Sequence, residues 1–263
     1  MILVLKLVLT PLLIGGASLA ARRWGPTIGG LLIALPLTSA PVAFFLALDH
    51  GTAFAAIAVA GSLGGLVAIA AYSLAYAEVG PRRGPAAGLA AASAAFVAVG
   101  LALQPVLDAP IWILLLLAIL ATAAVLRRLP ARGARRPPPR HPRWDIPVRM
   151  VVGTVIVVGL TAIAPALGPH ASGLAATFPV YVTVIAAFTH VHQGPAAAID
   201  VLRGLLAGLF GTAAFFVVIN LGIVRLGIGP AFALAIATTL ALQAVALRWV
   251  RANGGGPVEP EPA

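Results

Sequence analysis

Two short stretches place proline beside hydroxyl side chains inside otherwise apolar sequence. One is Leu35-Pro36-Leu37-Thr38-Ser39-Ala40-Pro41, and the other is Phe178-Pro179-Val180-Tyr181-Val182-Thr183. Proline removes a backbone donor and clashes with the preceding turn, so a helix running through either stretch must kink or unwind and free carbonyl groups. Two readings follow. Freed carbonyls with Thr38, Ser39, Tyr181 and Thr183 can form a substrate site, as broken helices do in secondary transporters. Alternatively, the prolines are packing kinks whose freed groups are satisfied by nearby hydroxyls or neighbouring helices.

Asp200 and Arg203 form a second constellation, three residues apart and therefore on one helix face. Arg203 is expected about 13 Å into its helix, near the middle of a bilayer, where a charge must face protein or water. The pair is either a structural ion pair or an anion-binding or proton-coupling site. His190 and His192 are spaced by two, which puts them on different faces of a helix and argues against a shared metal. They are expected at a membrane interface, as are Asp49 and His50. Lys6 and Arg149 stand near the starts of their helices and are expected to reach headgroups by snorkelling. The chain has no HExxH, no phosphate-binding glycine loop, no nucleophile elbow and no cysteine, so neither an enzyme nor a metal or other cofactor is expected.

The elements that must position these residues are membrane helices. Of 263 residues, 61% are hydrophobic and 9% charged, too apolar for a water-soluble domain. Apolar runs at 2–21, 26–48, 52–77, 85–103, 110–126, 147–167, 170–190, 195–219 and 228–249 are each long enough to span about 30 Å of hydrocarbon. The net charge of +10 does not point to nucleic acid, because the arginines sit between apolar runs and not along one face. Arg22, Arg23, Arg82, Arg83, Arg127 to Arg143, Arg248 and Arg251 occupy alternate connections. This orients the chain with its N-terminus outside and its C-terminus cytoplasmic. The linker around Arg135-Arg136-Pro137-Pro138-Pro139-Arg140 cannot be helical. It anchors topology, and its arginines, from Arg127 to Arg143, suit anionic lipid headgroups. The run ending Ala17-Ser18-Leu19-Ala20 has the look of a signal peptide, but an internal repeat argues that it is retained.

That repeat has an offset of 143 residues. Gly25-Pro26 matches Gly168-Pro169, and the same frame pairs Gly30 with Gly173, Pro36 with Pro179, Phe45 with Phe188, Gly51 with Gly194, Gly61 with Gly204 and Gly65 with Gly208. Each repeat holds four helices, and the helix at 110–126 stands alone between them, so equivalent helices start on opposite sides of the membrane. The two Gly-xxx-Gly pairs are expected on the packing helices. The expected fold is an all-α polytopic membrane bundle of about nine helices, two inverted four-helix repeats joined by one extra helix. Its parts are a first repeat at 1–105, the connecting helix at 106–126, the linker at 127–146, a second repeat at 147–252 and a Gly/Pro/Glu-rich tail at 253–263 expected to be disordered.

Leu5-Lys6, then Gly30-Leu31 with Leu35-Pro36, and Gly173-Leu174 with Phe178-Pro179, resemble the pattern of GlpM-like small bacterial inner-membrane proteins of four helices. The resemblance implies that each half corresponds to one such unit and that the protein resides in a bacterial cytoplasmic membrane; it implies no mechanism. The second half departs from the pattern by carrying Arg149 where the first has Lys6, and by adding Asp200 and Arg203. The expected function is a small secondary transporter or flippase-like carrier. Its site would comprise Pro36, Thr38, Ser39, Pro179, Tyr181 and Thr183 with Asp200 and Arg203. The alternative is a non-transporting scaffold for another envelope component.

Overall fold

The computed structural model describes residues 2–36, 39–130, 144–163 and 178–252. Among them the regular structure is helical. In chain order the α-helices are α1 (Ile2–Trp24), α2 (Pro26–Ile33), α3 (Ser39–His50), α4 (Thr52–Arg83), α5 (Pro85–Ala102), α6 (Ile111–Arg128), α7 (Asp145–Ile163), α8 (Val180–Gln193), α9 (Pro195–Leu226) and α10 (Ile228–Ala252). Five of them, α4, α5, α6, α9 and α10, are long and apolar enough to cross a membrane. Thr38, residues 131–143 of the linker, the tail at 253–263, and residues 164–177, with Gly168, Pro169, Gly173, Leu174 and parts of the helices expected at 147–167 and 170–190, lie outside the described residues.

The expected helix at 26–48 is two helices. α2 stops at Ile33 and α3 starts at Ser39, bracketing Pro36, whose ring cannot continue the α2 ladder. Pro179 acts at a helix start instead, as the residue that precedes α8. The helices expected at 52–77 and 195–219 are longer than their apolar cores. α4 and α9 each have 32 residues, about 48 Å of rise, and extend past a hydrocarbon layer of about 30 Å.

Five turns between helices are single glycines. Gly25, Gly51, Gly84, Gly194 and Gly227 have φ between 79° and 99°, and those flanking α4 and α9 pair this with ψ near 170°. Only glycine adopts that region without strain, and one such residue suffices to reverse the chain. Proline at the first helical position follows Gly25, Gly84 and Gly194, where its missing N–H costs nothing. Gly194 and Gly227 stand 143 residues after Gly51 and Gly84, so α4 and α9 begin and end in one frame.

Glycine also sets the closest helix contacts. α2 lies against α9, and a Cβ at Gly30 would overlap the Val201 carbonyl while one at Gly204 would overlap the Thr27 carbonyl. Gly208, one turn on, meets Ala34 and Gln243. This is the small-residue packing expected of the second glycine pair. The first pair differs, because no described atom lies within 4 Å of a Cβ at Gly61. In the interior, Phe178 makes edge contacts with Tyr72 and Phe96, and Phe232 with Phe44 and Phe215.

Candidate functional site

One residue of each proline stretch, Leu35 and Tyr181, lines a common groove. α1 and α2 form a hairpin whose outer side holds a groove of about 260 Å3, lined along α1 by Leu12, Gly16 and Trp24, past Ile33 to Leu35 at the break, and by Tyr181 of α8. The lining is apolar apart from the Tyr181 hydroxyl, which lies 3.3 Å from that of Thr10. Pro36 is buried and Ser39 half-buried. Carbonyls at the break between α2 and α3 and at the start of α8 have partners. The Thr212 hydroxyl of α9 donates to the Ala34 carbonyl. The Pro36 carbonyl accepts from the Ala40 amide at 2.8 Å, and that of Pro179 from the Thr183 amide at 3.0 Å and hydroxyl at 2.9 Å.

A polar seam lies between α4 and α8. The Tyr72 hydroxyl is 2.8 Å from the Thr183 hydroxyl, and the Tyr76 hydroxyl is 2.9 Å from Nδ1 of His190. All four side chains are buried. In an apolar interior each hydroxyl needs such a partner, so the seam fixes α8 against α4 in one register. Neither tyrosine is recognisable from sequence as a site residue, because its partner is more than 100 residues away.

The strongest electrostatic site joins three helix ends. Asp145, at the start of α7, is fully buried. Its Oδ2 lies 2.6 Å from a terminal nitrogen of Arg22 at the end of α1 and 3.0 Å from Nε of Arg149, and its Oδ1 lies 3.1 Å from Nε2 of His192 at the end of α8. The Arg149 guanidinium also stands over the Phe188 ring at 5.2 Å. Burial alone would push the Asp145 carboxyl up. Hydrogen bonds from Arg149 and Arg22, with the charges of Arg149 and His192, outweigh it and hold the carboxyl below the usual range. The expectation for Arg149 changes accordingly. Arg149 does not snorkel, since its side chain is 3% exposed and turned inward to Asp145. His190 and His192 are bonded to different partners and serve as helix ties. Asp145 was readable only as the i, i+4 neighbour of Arg149, which says nothing about Arg22.

Asp200 and Arg203 are near each other at 3.9 Å. Arg203 donates to the carbonyls of Leu129 and Pro130, just past the end of α6. It therefore sits level with that helix end and with Arg127 and Arg128, not at the middle of a span, and caps α6 where the helix dipole favours a cation. Of the expected site residues, Tyr181 lines the groove together with Leu35, the neighbour of Pro36, Thr183 is turned to Tyr72, and Asp200 and Arg203 are in a separate contact.

No family model matches the chain, and no curated protein and no solved structure matches it.

Proposed function

We propose that the protein is a small integral membrane carrier whose site is the groove beside the break between α2 and α3 and the Pro179 start of α8. The observation that carries this reading is that Leu35, beside Pro36, and Tyr181, beside Pro179, line one groove. Broken helices in corresponding positions of two halves mark the binding site in many secondary transporters. Within this reading the halves are inverted repeats of a GlpM-like four-helix unit, together making about nine spans in a bacterial cytoplasmic membrane, with the N-terminus outside. The glycine frame shared by α4 and α9 supports the duplication. The arginine-rich connections support the orientation, and Arg127 to Arg143 supply the surface that faces anionic headgroups.

A scaffold is the second reading, favoured by a specific observation. The Thr212 bond to the Ala34 carbonyl and the glycine contact of α2 with α9 close the first break tightly. Cysteine accessibility separates the two, since the chain has no native cysteine. Single cysteines at Thr38, Ser39, Tyr181 and Thr183 would be labelled from each side with a membrane-impermeant reagent. A carrier gives labelling at these positions from both sides; complete protection from both sides sinks the carrier and leaves the scaffold.

A further inference from the structure

The groove between α1 and α2 is basic at one end. Arg23 stands seven residues, close to two turns, beyond Gly16 of the groove and so shares its face of α1. Its guanidinium carbon lies 5.8 Å from the ring centroid of Trp24, which lines the groove. Arg22 differs from its neighbour, being turned to Asp145. Among the described residues no carboxylate pairs with Arg23, which is exposed. From Leu12 to Trp24 the groove covers thirteen residues, a rise of about 18 Å, or roughly half of the hydrocarbon layer. Tryptophan beside arginine at the end of an apolar helix is a usual interfacial arrangement.

We infer that the groove takes the acyl chain of an anionic membrane lipid from the leaflet that Arg23 faces, with the headgroup phosphate at Arg23 beside Trp24. The apolar lining matches a chain in both character and depth. The charge at its mouth matches the headgroup. That such a lipid is cargo rests on the carrier reading, while its binding needs only the groove.

The test is native mass spectrometry of the full-length protein, released from detergent after equilibration with phosphatidylglycerol or with phosphatidylcholine of the same chains. The wild type retains the anionic lipid preferentially. Arg23→Gln, at an exposed position, reduces that preference about five-fold. Gly16→Leu reduces retention of both lipids, because no described atom lies within 4 Å of a Cβ there and the new side chain enters the groove. Equal retention of the two lipids by the wild type, or retention unchanged in Gly16→Leu, overturns the inference. The cysteine labelling above reports separately on the carrier. Labelling without lipid retention removes the lipid and keeps the carrier, and lipid retention with full protection does the reverse.

Discussion

The seam between α4 and α8 and its counterpart in the 143-residue frame share a backbone plan and little chemistry. Tyr72 and Tyr76 bond Thr183 and His190 in the one. The equivalent positions are Phe215, Ile219, Ala40 and Ala47, all apolar. At the helix ends Asp145 of α7 answers to the apolar Ile2 of α1, whereas Arg149 answers to another cation, Lys6. Glycines that reverse the chain recur in both halves, because each half needs the same turns. The hydroxyls of Tyr72, Tyr76 and Thr183, the His190 imidazole and the Asp145 carboxylate do not recur. The polar groups that tie these helices together are therefore an asymmetric set, concentrated on α8 and its neighbours.

The largest effect is expected at Asp145, which has no polar counterpart. Asp145→Ala strands Arg149 in a buried position and should cost about 3–5 kcal/mol in the unfolding of the purified protein by dodecyl sulfate. A loss below about 1 kcal/mol would mean that the three helix ends are not held by charge, and would erase this difference between the halves. The glycine pairs come next. Gly204→Val should cost about 1–3 kcal/mol through overlap with α2, whereas Gly61→Val should stay within about 0.5 kcal/mol. Equal losses in the same assay would show that the two long helices are packed alike.

Removing one hydroxyl from the seam should cost about 1–3 kcal/mol, because Tyr76→Phe leaves Nδ1 of His190 without its partner. The converse change, Phe215→Tyr, adds a hydroxyl to a fully buried ring packed against Phe216 and Phe232 and should also destabilise; if it is neutral, that site admits water or a partner. The smallest effect is in pH. Because the Asp145 carboxyl is held below its ordinary value near 3.9, the unfolded state binds the extra proton first. Its contribution is therefore complete above about pH 4 and is lost as pH falls through the lower, folded value. Unfolding measured from pH 7 to pH 3 should show this loss in the wild type and not in Asp145→Asn.

The broken second helix was legible because a proline in an apolar run has few structural outcomes, and Pro36 takes the expected one. The long helices were legible in their apolar cores but not at their ends, since hydropathy falls at Arg82 and Arg83 while the backbone ladder continues to Gly84. The placement of Arg203 went astray because depth was counted from a helix start assumed to lie at the membrane surface; α9 is too long for that. The Asp145 cluster depends on Arg22 and His192, 123 residues before it and 47 after, and pairings across such distances leave no local pattern. Tyr72 and Tyr76 were hidden for the same reason, as aromatic residues in an apolar run read as core.

One-residue turns also leave few places to cut or insert. A protease needs a length of extended, unpaired chain, and an epitope needs room to stand clear of the fold. Gly25, Gly51, Gly84, Gly194 and Gly227 provide neither, since each is flanked immediately by helix on both sides. Tags inserted at these five points would have to unwind a helix end, so reporters of sidedness in this protein belong in a longer connection, such as residues 103–110 between α5 and α6.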